Sequence, residues 1–126
     1  MSNEYIAGAC NIGKGEIRRR QFVALIGAAI TITTAITLFT TDQSKAARLS
    51  IFIPAMIFAI GFVQSRKKFC LAYGLAGTFN FGGLGDVKRV QSEEDRKADR
   101  KTALSILTQS AMLAAAITAV VFALPL

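Results

Sequence analysis

The sequence predicts an all-α polytopic membrane protein with three transmembrane helices, and three observations lead there. Charge-free apolar runs fill residues 22–41, 49–65 and 103–126. The charged residues are gathered into blocks between those runs rather than spread along amphipathic segments. The cations are shared very unevenly between alternate blocks. The apolar content is 52% and the mean hydropathy +0.44, and at 126 residues a single membrane domain, 1–126, is expected.

Residues 1–21 read as a polar, cytoplasmic head. It has no apolar core of the signal-peptide kind. Gly13 and Gly15 break it, Asn11 is a candidate helix cap, and Glu16 would then fall in an early turn where the helix dipole favours an anion. Arg18, Arg19 and Arg20 stand just before the first apolar run, at the level expected for lipid headgroups. FVALIGAAITITTAITLFTT, residues 22–41, reaches ~30 Å as a helix, the thickness of the hydrocarbon layer. Its threonines are tolerable because each hydroxyl can bond the backbone one turn earlier.

Residues 42–48 form a short external connection. The second run, 49–65, is at the lower length limit for a span, and Ala46 and Ala47 extend it if Arg48 snorkels. Pro54 is expected to kink it. Residues 66–102 form the next loop, and it contains FCLAYGLAGTFNFGGLG, residues 69–85, a charge-free stretch with five glycines. Each glycine costs about 1 kcal/mol in a helix interior relative to alanine.

Charge counting decides whether that stretch spans. With three spans the head carries four cations, the first loop only Lys45 and Arg48, and the second loop nine. If 69–85 were a fourth span, the balance would become seven cations inside against eight outside, and the bias would vanish. The expectation is a cytoplasmic-side interfacial segment whose aromatics dip into the bilayer edge or a partner. Residues 86–102 are charged and helical, with Ser92 and Asp95 in capping-box form and the four-residue repeat of DRKADRKT giving a solvated helix end. The third span is 103–125. The N-terminus is expected in the cytoplasm and the C-terminus outside, in a bacterial inner (cytoplasmic) membrane.

Several functions are disfavoured. The chain has no His, the commonest metal and acid–base residue. GTFNFGGLGD lacks the GK[ST] ending of a phosphate loop. The net charge of +7 comes without any nucleic-acid motif. The apolar runs hold no Asp, Glu, Lys or Arg, with Gln109 the notable polar side chain, which argues against an autonomous pump. No enzyme signature appears, no cofactor or metal is expected, and bound lipid is the one ligand anticipated.

Cys10 and Cys70 lie in glycine-rich, cation-flanked pieces. They read as structural thiols packing the head against the loop, with a thiol-dependent redox or metal role as the sharper alternative. Candidate partner or lipid contacts are Cys10, Asn11, Arg18, Arg19, Arg20, Phe69, Cys70, Tyr73, Phe79, Asn80 and Phe81. Two stripes of small residues, Gly27, Thr31 and Ala35 on the first run and Ala111, Ala115, Ala119 and Ala123 on the third, are candidates for close helix packing within the chain or with other subunits.

CNIG followed by EIRRR, then GFVQSRKKFC, FNFG and DRKADRK before a last apolar run, resembles a family of small uncharacterised bacterial integral membrane proteins with no assigned activity. The resemblance covers most of the chain and implies a bacterial inner-membrane protein. The function expected is a non-catalytic accessory or assembly and stabilising subunit of a larger membrane complex, contacting anionic lipid headgroups and other subunits. A small homo-oligomeric channel or transporter is the alternative.

Overall fold

The computed structural model describes residues 5–83 and 85–125. Residues 1–4 of the head, Leu84 of the 69–85 segment and Leu126 at the end of the third run lie outside the described residues. The described residues are 72% helical. Three stretches are long and apolar enough to cross a membrane: Lys14–Thr40, Lys45–Lys67 and Glu93–Ala123.

Helix α1, Lys14–Thr40, starts well before the apolar run, so the three arginines sit on its second turn. Gly13, not Asn11, is its N-cap residue, and no side chain caps it. The threonines behave as their chemistry dictates. Thr31, Thr33, Thr37 and Thr40 each donate to the carbonyl four residues back, at 2.7–2.9 Å.

A 3-10 helix, Lys45–Ile51, leads into α2, Phe52–Lys67. Pro54 falls in the first turn of α2, just after the 3-10 helix, where a missing N–H costs little. Lys68 ends α2 in the left-handed conformation (φ 54°) and turns the chain back. The 69–85 segment then forms a short helix α3, Leu71–Ala76, and a strand β1, Thr78–Phe79, paired antiparallel with β2, Lys88–Arg89. Finally α4 runs unbroken over Glu93–Ala123, joining the charged segment to the third apolar run. Ser92 caps it as expected, accepting from the Asp95 N–H.

Helix α2 is the central element. It packs on α1 along one side and on α4 along the other, whereas α1 and α4 barely meet. The α1–α2 crossing is close because glycines face each other's backbones. A Cβ on Gly27 would lie 2.7 Å from Phe58 Cα, and one on Gly61 would lie 2.7 Å from the Ala24 nitrogen. The α2–α4 contact has two small cores, one of Val63, Phe69, Ala103 and Ile106 and one of Ala55, Ala59 and Ala114.

The small-residue stripes divide. Gly27 is buried at the α1–α2 crossing, and Thr31 and Ala35 continue it, half-buried. On α4 the buried face is Ala103, Ile106, Ser110, Ala114, Thr118 and Val121. Ala111 is half-buried, and Ala115, Ala119 and Ala123 face outward, so they do not pack the three helices together. The stripe that α2 covers runs one residue earlier, through Ser110, Ala114 and Thr118.

Gly27→Leu or Gly61→Leu should therefore destabilise the isolated chain by about 1–3 kcal/mol or more through overpacking. Ala115→Leu and Ala119→Leu should stay within about 0.5 kcal/mol of wild type. Thermal midpoints in mild detergent check this; equal losses at all four positions would contradict the packing described.

Candidate functional site

The head and the 69–85 segment, far apart in sequence, fold into one unit at the end of the molecule where α1 begins, α2 ends and α4 begins. Asn11 is its centre. Its backbone N–H donates to the Lys68 carbonyl (3.3 Å) and its backbone carbonyl accepts from the Asn80 N–H (2.9 Å). Its side-chain oxygen accepts from the Cys70 N–H (2.7 Å), and its amide nitrogen donates to the Cys70 carbonyl (3.1 Å). The Gly13 N–H adds a bond to the Asn80 carbonyl (2.9 Å), completing a parallel bridge between head and loop. Asn80 in turn shapes the glycine turn beyond it, accepting from the Gly82 N–H and donating to the Gly83 carbonyl. Both asparagines are fully buried.

Two buried carboxylates flank this clamp. Glu16 accepts from Arg19 (2.8 Å), Arg20 (2.9 Å) and the Tyr73 hydroxyl (3.0 Å), tying α1 to α3. Asp99 is not part of a solvated helix end. It is fully buried and accepts from the Tyr5 hydroxyl and the Gly8 N–H, both at 2.6 Å. Thr102 donates to the Gly8 carbonyl (2.7 Å), so one turn of α4 holds the start of the head. Burial and the Asp99 carboxylate push the Tyr5 phenol well above its ordinary value. Tyr73 is raised by burial and by its bond to Glu16.

At the opposite end, Arg48 does not snorkel. It is buried and donates to the carbonyls of Val121 (3.2 Å), Phe122 (3.4 Å) and Leu124 (2.6 Å), closing the C-terminus of α4. Its guanidinium also stands 4.8 Å from the Phe39 ring.

Of the candidate contact residues, Asn11, Phe69, Cys70 and Asn80 are interior. Phe69 lies in the core under α4 and is unavailable to lipid or a partner. Phe79 and Phe81 are half-buried and form an aromatic cluster with Tyr5, with ring centroids 5.0 Å apart for Tyr5–Phe79 and 6.0 Å for Phe79–Phe81. The two thiols are free and buried. Cys10 donates to the Ile12 carbonyl at 3.6 Å, and Arg20 donates to Cys70 Sγ at 2.8 Å. Among the described residues, no three His, Cys, Asp or Glu side chains gather as metal ligands.

Arg18, Arg19 and Arg20 line a groove of about 770 Å³ with Phe22, Val23, Ile60, Cys70 and Leu71. A second groove of about 360 Å³ runs beside it, lined by Lys14, Ile17, Arg18, Gln21, Ser65 and Lys68. Arg18 borders both. It is exposed and makes no hydrogen bond or ion pair among the described residues.

Sequence reasoning missed Asp99, Arg48 and Gln64, which accepts from the Leu71 N–H and starts α3. Asp99 was findable: continuing the Ala103, Ile106, Ser110, Ala114 face one turn back reaches it. Arg48 and Gln64 had no such signal. No protein-family model, curated protein or solved structure matches the chain.

Asn11→Ala leaves the Cys70 N–H without an acceptor in a buried site, at a cost of about 1–3 kcal/mol. It should also loosen the head enough to speed maleimide labelling of Cys10 and Cys70 in the native state, which is expected to be slow in wild type. Unchanged labelling rates would mean the clamp does not hold the head.

The two tyrosines carry a pH consequence. Their folded values are raised, so their contribution is complete below the unfolded value of about 10 and is lost as pH rises through the folded values. The thermal midpoint should begin to fall as pH rises past about 10 and keep falling above it, and the Tyr5→Phe, Tyr73→Phe double variant should show a shallower fall from a lower start.

Proposed function

We propose that the chain is a three-span protein of a bacterial inner membrane. Its head and residues 66–102 lie in the cytoplasm and its C-terminus outside. It acts as a non-catalytic accessory or assembly and stabilising subunit of a larger membrane complex. The 13-to-2 division of cations between the two ends supports the orientation. In this reading the clamped head and loop form a cytoplasmic cap, with Leu75, Phe79 and Phe81 at the membrane interface or a partner.

The observation that supports the subunit reading is the outward face of α4. Ala115, Ala119 and Ala123 are exposed, and so are Ser105 and Gln109, which hydrogen-bond each other at 2.9 Å and line a groove with Gly8, Ala9 and Lys67. Gln109 lies about 9 Å into the apolar run. An amide there is costly against lipid and favourable against another helix, and small residues let that helix come close. The row arrangement of α1, α2 and α4, with α3 also packed on α4, leaves Ala115, Ala119 and Ala123 exposed.

Co-purification in mild detergent, with mass identification, tests this. A defined hetero-complex that dissociates in the Ala115→Leu, Ala119→Leu variant, with the variant chain still folded, is the expected result. A chain recovered only as a homo-oligomer supports a channel formed by several copies. One recovered only as a monomer sinks both.

Orientation needs introduced cysteines, because Cys10 and Cys70 are buried. On a cysteine-free background, Gln43→Cys should label from outside intact cells and Gln91→Cys should not. The reverse pattern would overturn the topology.

A further inference from the structure

The larger groove changes character along its length. Arg18, Arg19 and Arg20 line it with Phe22 and Val23 further along α1, Ile60 of α2 and Leu71 of α3. That change falls where the apolar run begins, so in a membrane the cationic end lies at the headgroups and the apolar end among acyl chains. Glu16 offsets one of the three arginines and leaves an excess of two positive charges, and Glu16 itself is buried beneath them. Among the described residues, neither groove has an acidic lining residue. A zwitterionic headgroup would find partners for its phosphate and none for its ammonium. Arg18 is the exposed guanidinium at the junction, and Lys14 and Lys68 line the far side.

We infer that this groove binds one anionic glycerophospholipid per chain. Its phosphate sits on Arg18 at the junction of the two grooves, and one acyl chain lies along Phe22, Val23, Ile60 and Leu71. The guanidinium suits this task because it presents several donors to phosphate oxygens and is always charged. Filling the groove also covers the exposed edges of α1 and α3. The inference rests on the membrane reading but not on the accessory-subunit reading.

The test is native mass spectrometry of the full chain, purified alone in mild detergent and supplied with phosphatidylglycerol or phosphatidylcholine. One retained phosphatidylglycerol per chain is expected, with weaker retention of phosphatidylcholine. Arg18→Gln should reduce phosphatidylglycerol retention about fivefold, the equivalent of ~1 kcal/mol for one cation near a membrane surface. Its fold should survive, because Arg18 holds no other residue among those described. Ile60→Trp, which fills the apolar end, should reduce retention of both lipids. Arg100→Gln, removing an exposed cation on α4, should change neither. Equal retention of the two lipids, an unaffected Arg18→Gln, or an equal loss in Arg100→Gln would each overturn the site. A chain that partitions into water on detergent phase separation would overturn the membrane reading with it. Failure to find a hetero-complex would leave the lipid result standing.

Discussion

The unit at the helix ends depends on four hydrogen bonds to one asparagine. Asn11 has one backbone donor, one backbone acceptor and a side-chain amide offering both, and the chain from Lys68 to Asn80 meets all of them. A short head has little apolar surface, so it cannot be held by burial alone. It is held by replacing water at every polar atom. That arrangement is stable only if each partner is present, since an unsatisfied buried amide costs more than a formed bond gains. Hence the interior position of residues that look like surface contacts.

The same logic places the buried charges. Glu16 accepts from donors on α1 and α3, Asp99 from Tyr5 and Gly8 of the head, and Arg48 donates to the last carbonyls of α4. All three lie at the ends of the long helices rather than in their middles. There the backbone has free groups to offer, and a charge can be solvated by protein without entering the apolar layer. Together they fasten both ends of a row of helices whose middle sections meet through small residues and few large side chains.

That row explains the uneven surface. With α2 between α1 and α4, each outer helix is covered on one side. The outer side of α1 is ordinary lipid-type surface, rich in Leu, Ile and Phe. The exposed side of α4 mixes large apolar residues, Leu104, Met112 and Val120, with Ala115, Ala119, Ala123 and a Ser105–Gln109 pair. The two proposals occupy different surfaces, a helix partner on α4 and a lipid beside α1.

The sequence by itself determined the three apolar helices, the short connection between the first two and the Ser92 cap. Each follows from local composition: run length against bilayer thickness, hydroxyls against backbone carbonyls, a side-chain oxygen against an N-terminal N–H. It also marked 69–85 as something other than a span, because five glycines and the charge balance are local counts. Tertiary structure decided the rest. Asn11 became a clamp rather than a cap, Phe69 a core residue, Asp99 an anchor, and Ala115, Ala119 and Ala123 an outward face. A side chain's pattern shows what it can bond or pack against. Which partner it meets depends on where chain up to 94 residues away is brought, and on which face of a nearly all-apolar helix its neighbour happens to cover. In helices apolar on every side, periodicity carries too little contrast to choose that face.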